Sequence, residues 1–385
     1  MLRIKADKVF DGFTFKENVV LLADEDGTIR DIINDTDNSA DVQLFNGIIC
    51  PGFINCHCHL ELSHMKGLIP QQTGLVQFVT DVVQQRQFPE EEILNAINNA
   101  EDEMIQNGIV AVGDICNNSL TIPRKLMRRI RYHNFIEASG FNPTIAAARF
   151  ERSVGFYREY VRINSSNGSS ASIVPHAPYS VADELWYMII NFPENYLLTI
   201  HNQETPEENE WFVQKAGALS ALYENLNIDT GFFTASGTSS IQSYLPRFLK
   251  NQKVILVHNV DTTENDVVFS KSSAVSAKIT WCFCVNANRY ITGKLPDLPM
   301  FKRQGVDMVI GTDSLASNTQ LSIASEIKTI LENFPGIELE DVLKWATSNG
   351  AKALNFDDSL GSFEKGKKPG ILLIDESMDH VSRIL

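Results

Sequence analysis

The chain has 385 residues, 43% hydrophobic and 21% charged, ordinary values for a folded protein large enough to bury an ample core. Its formal net charge is −15 and its pI about 5.0, a balance that repels phosphate backbones and anionic bilayers and so argues against nucleic acid or a membrane as partner. The N-terminus, Met1 through Asp7, lacks the apolar run of a signal peptide, no stretch nears the ~20 apolar residues that span a bilayer, and a cytoplasmic protein is expected.

The first segment, up to about Gly47, reads as short β-strands. Leu2-Arg3-Ile4-Lys5-Ala6 alternates, Asn18 to Leu22 is mostly apolar, and Asp26-Gly27 supplies a turn. Eight apolar runs follow, nearly every one trailed by a helical stripe. They are Gly47–Asn55, Ile109–Asp114, Phe135–Ala138, Ala171–Pro175, Tyr196–Ile200, Val254–Val257, Ala277–Trp281 and Asp307–Gly311. Near-continuous apolar runs are what strands buried on both faces require. The stripe from Glu92 to Ile105, closed by Asn107-Gly108, typifies the helices.

Eight such units over roughly 300 residues have the size of a (β/α)8 barrel, expected over residues 48–360. The tail returns to β character in Gly370–Asp375, so residues 1–47 and 361–385 are expected to combine into one small β-sandwich. A doubly wound open sheet would need a glycine-rich phosphate loop after its first strand, and none is present. Cys50, Cys56, Cys58, Cys116, Cys282 and Cys284 do not make a disulfide framework in a chain this long and are read as reduced thiols in the packing.

Of eight histidines, five fall at or just beyond the C-terminal ends of these strands: His57 and His59, His176, His201 and His258. Asp313 follows the eighth strand. In a barrel those ends converge on one mouth, where active sites form. The i, i+2 spacing of His57 and His59 turns both imidazoles to one side of a strand, about 6 to 7 Å apart along the chain. Alone, such a pair also occurs as polar strand-end residues; His201 and Asp313 at the same end weigh for a divalent-metal site, because neutral imidazole and carboxylate are good ligands for Zn²⁺ and similar ions.

Glu204, three residues after His201, is read either as a proton carrier for a metal-activated water or as the N-cap acid of the helix entered at Thr205-Pro206. His258 is a further ligand or a group polarising water or substrate, and His176 a candidate substrate contact. His64, His133 and His380 are read as core or exposed residues. His59-Leu60-Glu61 mimics the HxE of cytidine-deaminase zinc sites, but the later P-C-x-x-C those require is missing.

Pro51-Gly52-Phe53-Ile54-Asn55-Cys56-His57-Cys58-His59-Leu60 resembles the amidohydrolase signature that delivers HxH from a Pro-Gly strand. The HxxE of His201 and Glu204, the strand-six histidine, the Cys-x-x-x-Asn region within Trp281-Cys282-Phe283-Cys284-Val285-Asn286-Ala287-Asn288 and Gly311-Thr312-Asp313-Ser314 follow in the family's order, so the resemblance spans nearly the whole chain. Ala171–His176 carries no lysine to bridge two metals, and His176-Ala177-Pro178-Tyr179-Ser180 is similar to the mononuclear deaminase and chlorohydrolase branch. The resemblance implies one divalent ion, zinc or iron, on His57, His59, His201 and Asp313. It implies that Glu204 shuttles protons, His258 orients the attacking water and Asp313 helps deprotonate it. The likeness is strongest to aminodeoxyfutalosine and adenosine-type deaminases, which implies water displacing ammonia from an aminopurine nucleoside. Glu61 then binds ribose hydroxyls, and Arg149 or Arg289 meets a substrate carboxylate, although each arginine is also read as a surface or interface residue. A chlorohydrolase or a deaminase of guanine, pterin or triazine is the alternative on the same scaffold, and an inert binding barrel the alternative of another class. A homodimer stays open as the assembly.

Overall fold

Residues 1–35, 41–164 and 170–385 are described in the computed structural model of the protein. Strands β1 (Leu2–Phe10), β2 (Phe15–Lys16), β3 (Val19–Ala23), β4 (Ile29–Asn34) and β5 (Gln43–Pro51) come first. The barrel strands are β6 (Phe53–Cys58), β7 (Ile109–Cys116), β8 (Arg131–Ala138), β9 (Ser170–Pro175), β10 (Leu197–Asn202), β11 (Lys253–His258), β12 (Lys278–Phe283) and β13 (Met308–Ile310). β14 (Ile371–Ile374) and β15 (Val381–Arg383) end the chain.

Each of the eight expected runs contributes a strand to a (β/α)8 barrel, paired in parallel as two four-stranded arcs, β6-β7-β8-β9 and β10-β11-β12-β13. Two thin seams join the arcs. At one, His201 N donates to the His176 carbonyl at 3.0 Å; at the other, Thr312 N and Asp313 N both donate to the His57 carbonyl at 3.0 Å, beside a parallel bridge between Cys58 and Asp313. Both seams therefore lie among the histidines and the aspartate singled out above, which is where the loops at the strand ends take over from the ladder.

A small β-unit, one continuous hydrogen-bonded sheet, joins the two ends of the chain. Its seven strands run in the order β15-β14-β5-β1-β3-β4, with β2 paired to β1, and surround a separate apolar cluster that includes Ile4, Leu21, Ile49, Phe363 and Ile371. β5 runs parallel to β1 and antiparallel to β14. The run expected as the first barrel strand, Gly47–Asn55, is thus divided: its first half pairs in this sheet and only Phe53 onward enters the barrel. Periodicity missed the division because both halves are buried on both faces. Gly52 marks the hand-over, since a Cβ there would lie 2.4 Å from Val110 Cγ1 and 2.6 Å from the Pro369 carbonyl oxygen.

All six cysteines are free and buried. Among the described residues no helix is long and apolar enough to cross a membrane.

Gly311 leads β13 into Asp313, and a Cβ there would approach His57 Cβ to 2.8 Å and Cys284 Sγ to 2.9 Å. Gly311→Ala is accordingly expected to destabilise the protein by about 1–3 kcal/mol through overpacking, read as a lower urea midpoint at unchanged slope. An unchanged midpoint would show that the strand yields without strain.

Candidate metal centre and active-site cavity

The i, i+2 pair behaves as extended geometry dictates: His57 ends up wholly buried, His59 almost so, and their Nε2 atoms approach to 3.2 Å. His59 Nε2 also lies 3.3 Å from His201 Nε2 and 3.3 Å from Asp313 Oδ1, and His57 Nε2 lies 3.4 Å from that same oxygen. His258 belongs to the cluster as well, since its ligand atom and those of His57, His201 and Asp313 all fall within 4.8 Å of one another.

These spacings fit a cation. With metal–nitrogen bonds of ~2.0–2.1 Å, donors at the corners of a tetrahedron stand about 3.3 Å apart. Burial lowers the His57 pKa, takes His59 down to about 3 and holds His201 well below the usual imidazole value, so the rings are neutral and offer lone pairs. His201 Nδ1 donates to the His176 carbonyl at 2.8 Å, which fixes the proton there and leaves Nε2 to the centre. Ser317 Oγ donates to Asp313 Oδ2, leaving Oδ1 to face the histidines. His57 Nδ1 has no hydrogen-bond partner among the described residues.

The backbone is bent to deliver two of these side chains. His258 has φ +76° and Asp313 φ +58°, left-handed values that non-glycine residues rarely adopt and that cluster where side chains must be re-aimed. Asn259 clamps the first bend, donating from its amide nitrogen to the Leu256 and Cys282 carbonyls at 2.9 Å each. His258 Nδ1 sits 2.8 Å from Asn288 Oδ1, so its Nε2 points inward.

Glu204 is buried, with Oε2 3.8 Å from His258 Nε2. Burial raises its pKa, which makes the carboxylate a stronger base than an exposed one. The following helix, Pro206–Gln214, takes Thr205 as its N-cap, so Glu204 is not spent on capping.

A cavity of about 720 Å³ opens on this cluster and is lined by His59, His201, Glu204, His258 and Asp313. That lies within the ~300–1,000 Å³ of small-molecule sites. Glu61, Arg149 and His176 line it too, whereas Arg289 is exposed on the helix Val285–Thr292 and is not among the lining residues. His64, read as a core or surface residue, lines the wall, its Nε2 3.0 Å from the Arg86 carbonyl oxygen. His133 is a satisfied core histidine between the hydroxyls of Ser170 and Ser172, and His380 is exposed.

The sequence profile of the Amidohydrolase family matches residues 48–383. The chain belongs to the amidohydrolase family. This amidohydrolase is 26% identical to the adenosine deaminase of Helicobacter pylori over 330 residues, 84% of this chain and 78% of that protein. Its fold matches the crystal structure of Helicobacter pylori aminofutalosine deaminase in complex with methylthio-coformycin with a TM-score of 0.82 at 24% identity, over 97% of this chain and 92% of that one. It also matches atrazine chlorohydrolase TrzN from Arthrobacter aurescens TC1, complexed with zinc, with a TM-score of 0.75 at 17% identity, over 100% of this chain and 89% of that one.

The amidohydrolase carries site residues that sequence reasoning passed over. Behind the HxH strand, Asp114 Oδ1 accepts from Leu60 N at 2.9 Å while its other oxygen pairs with the buried Lys125 ammonium, so a buried ion pair steadies the loop that carries His59 and Glu61. Glu137, on β8, lines the cavity; Asn117 Nδ2 donates to its Oε1 at 3.1 Å, and Asn117 N donates to Glu61 Oε2 at 2.9 Å. Burial pushes both carboxyls up to about 7. The available signal for Glu137 was an acid inside an otherwise apolar barrel strand, Phe135-Ile136-Glu137-Ala138.

Proposed function

We propose that the protein is a metal-dependent hydrolytic deaminase of an amino-substituted purine nucleoside, breaking the exocyclic C–N bond with water and releasing ammonia. The observation that carries this reading is the meeting of three imidazole nitrogens and Asp313 Oδ1 at 3.2–3.4 Å beside a buried Glu204 on one cavity wall. The adenosine deaminase and aminofutalosine deaminase among its relatives support a purine nucleoside as substrate, and the zinc of the chlorohydrolase supports zinc as the ion, with iron the alternative.

His57, His59, His201 and Asp313 would hold one divalent ion. When bound, such an ion acidifies water toward neutrality. Glu204 takes one proton from the attacking water and passes it to the purine ring nitrogen; the proton of the hydroxyl now on the ring carbon is then carried to the departing amino group, so that ammonia leaves as the carbonyl forms. His258, anchored through Asn288, orients that water, and Asp313 helps remove its proton. Glu61 meets ribose hydroxyls, His176 contacts the substrate, and Arg149 receives a substrate carboxylate. Charge repulsion from a protein of net charge −15 supports a free small molecule as partner, with no nucleic acid or membrane. A cytoplasmic place and a homodimeric assembly belong to the same reading.

The test is a panel of adenosine, adenosines with varied 5′ groups including a carboxylate, guanine and a chlorotriazine, assayed for ammonia and chloride. Nucleosides are expected to exceed guanine in kcat/KM by roughly tenfold or more. Chloride release without nucleoside turnover would overturn the reading in favour of a chlorohydrolase. No turnover together with no uptake of supplied zinc or iron would point to an inert binding barrel.

A further inference from the structure

We propose that Glu137 is a substrate-recognition residue, a second carboxylate that works with Glu61 to accept the two adjacent hydroxyls of the substrate's sugar; this rests on the nucleoside reading above.

His133, Phe135 and Glu137 alternate along β8 and so share one face, as the 4.4 Å contact between the first two rings attests. Glu137 is the last of the three before the strand ends, which places it where a barrel strand opens on the mouth. Its side chain is 7% exposed, and its two oxygens fare differently. Oε1 accepts from Asn117 Nδ2 at 3.1 Å, while Oε2 is buried without any hydrogen-bond partner among the described residues. His201 Nδ1 stands 3.9 Å from Oε2, beyond hydrogen-bond reach, and its proton goes to the His176 carbonyl at 2.8 Å. A buried carboxylate oxygen left unsatisfied is costly to the fold, so its donor must come from something that enters the cavity.

Asn117 defines what that something is. Its backbone N–H holds Glu61 and its side-chain amide holds Glu137, so one residue sets two carboxyl groups, acceptors when ionised, together on the cavity wall. Two neighbouring acceptors match a ligand with two neighbouring donors, and a vicinal diol is the donor pair a nucleoside carries. A cation among Glu137, His176 and His201 fits less well, because His201 has its proton on the nitrogen facing Glu137 and its other nitrogen turned to His57 and His59.

The test uses the metal-loaded full chain as wild type, Glu137→Gln and Glu137→Ala. Calorimetry measures binding of purine riboside, which has no amino group to lose, and of its 2′-deoxy and 3′-deoxy counterparts. In the wild type, deleting the hydroxyl that faces Glu137 is expected to weaken binding by roughly 10- to 100-fold. Both variants are expected to bind the parent more weakly by a similar factor and to stop distinguishing it from that one deoxy compound. Glu137→Gln preserves the side-chain shape and guards against a folding artefact. Variants that discriminate as the wild type does would overturn the assignment and leave the nucleoside reading standing. Loss of metal from Glu137→Gln with discrimination intact would overturn it too, assigning the acid to support of His201. A wild type that binds no purine riboside would sink the nucleoside reading and this inference together.

Discussion

Glu204→Gln is expected to lower kcat by about 10²–10⁴-fold while the protein still takes up one metal ion per chain. The substitution keeps the volume and the planar shape of a buried side chain, so the wall beside His258 should not rearrange. What it removes is the capacity to pick up and release a proton, which the carboxyl, its pKa raised by burial, is well suited to provide. The three histidines and Asp313 are untouched by the change, because their mutual spacing depends on the seams between strands and not on Glu204. Steady-state kinetics paired with metal analysis separates the two effects. A variant that turns over at near wild-type rate would remove Glu204 from the proton path, and one that loses its metal would reassign it to the centre.

His57→Ala is expected to abolish metal uptake and turnover together. His57 is the only one of the four proposed ligands with no solvent exposure at all, and its Nε2 sits 3.2 Å from His59 Nε2 and 3.4 Å from Asp313 Oδ1. Deleting it takes one corner from a set whose spacing matches a tetrahedron and leaves a cavity against Gly311, whose built Cβ position lies only 2.8 Å from His57 Cβ. Affinity for zinc should fall by more than about 100-fold, since even partners outside the ligand set are worth 10- to 100-fold. Because an ion that binds only the native state stabilises it, added zinc should raise the Tm of the wild type and leave that of the variant unmoved. A variant that still binds one zinc with unchanged affinity would show that His57 is not a ligand.

Much of the site is legible in the sequence. His57 and His59 share a face because a strand has a period of two, and that holds in any extended segment. His201, His258 and Asp313 were placed at strand ends by the apolar runs that precede them, although β10 and β11 extend far enough to include the two histidines, and β13 stops at Ile310, short of Asp313. Glu204 stayed ambiguous between capping and proton transfer, because an acid before Thr205-Pro206 suits both; burial beside His258 is a property of packing.

By itself, the sequence determined the number and order of the barrel strands, the buried reduced thiols, and which residue types arrive at which strand end. Local periodicity and turn chemistry encode those within a few residues of one another. Only the tertiary structure decided that β5 leaves the barrel at Gly52, that Arg289 stays outside the cavity, and that Glu137 is buried with one oxygen unanswered. Those outcomes depend on which distant groups fill the space around a side chain, and packing between segments far apart in the chain leaves no local pattern to read.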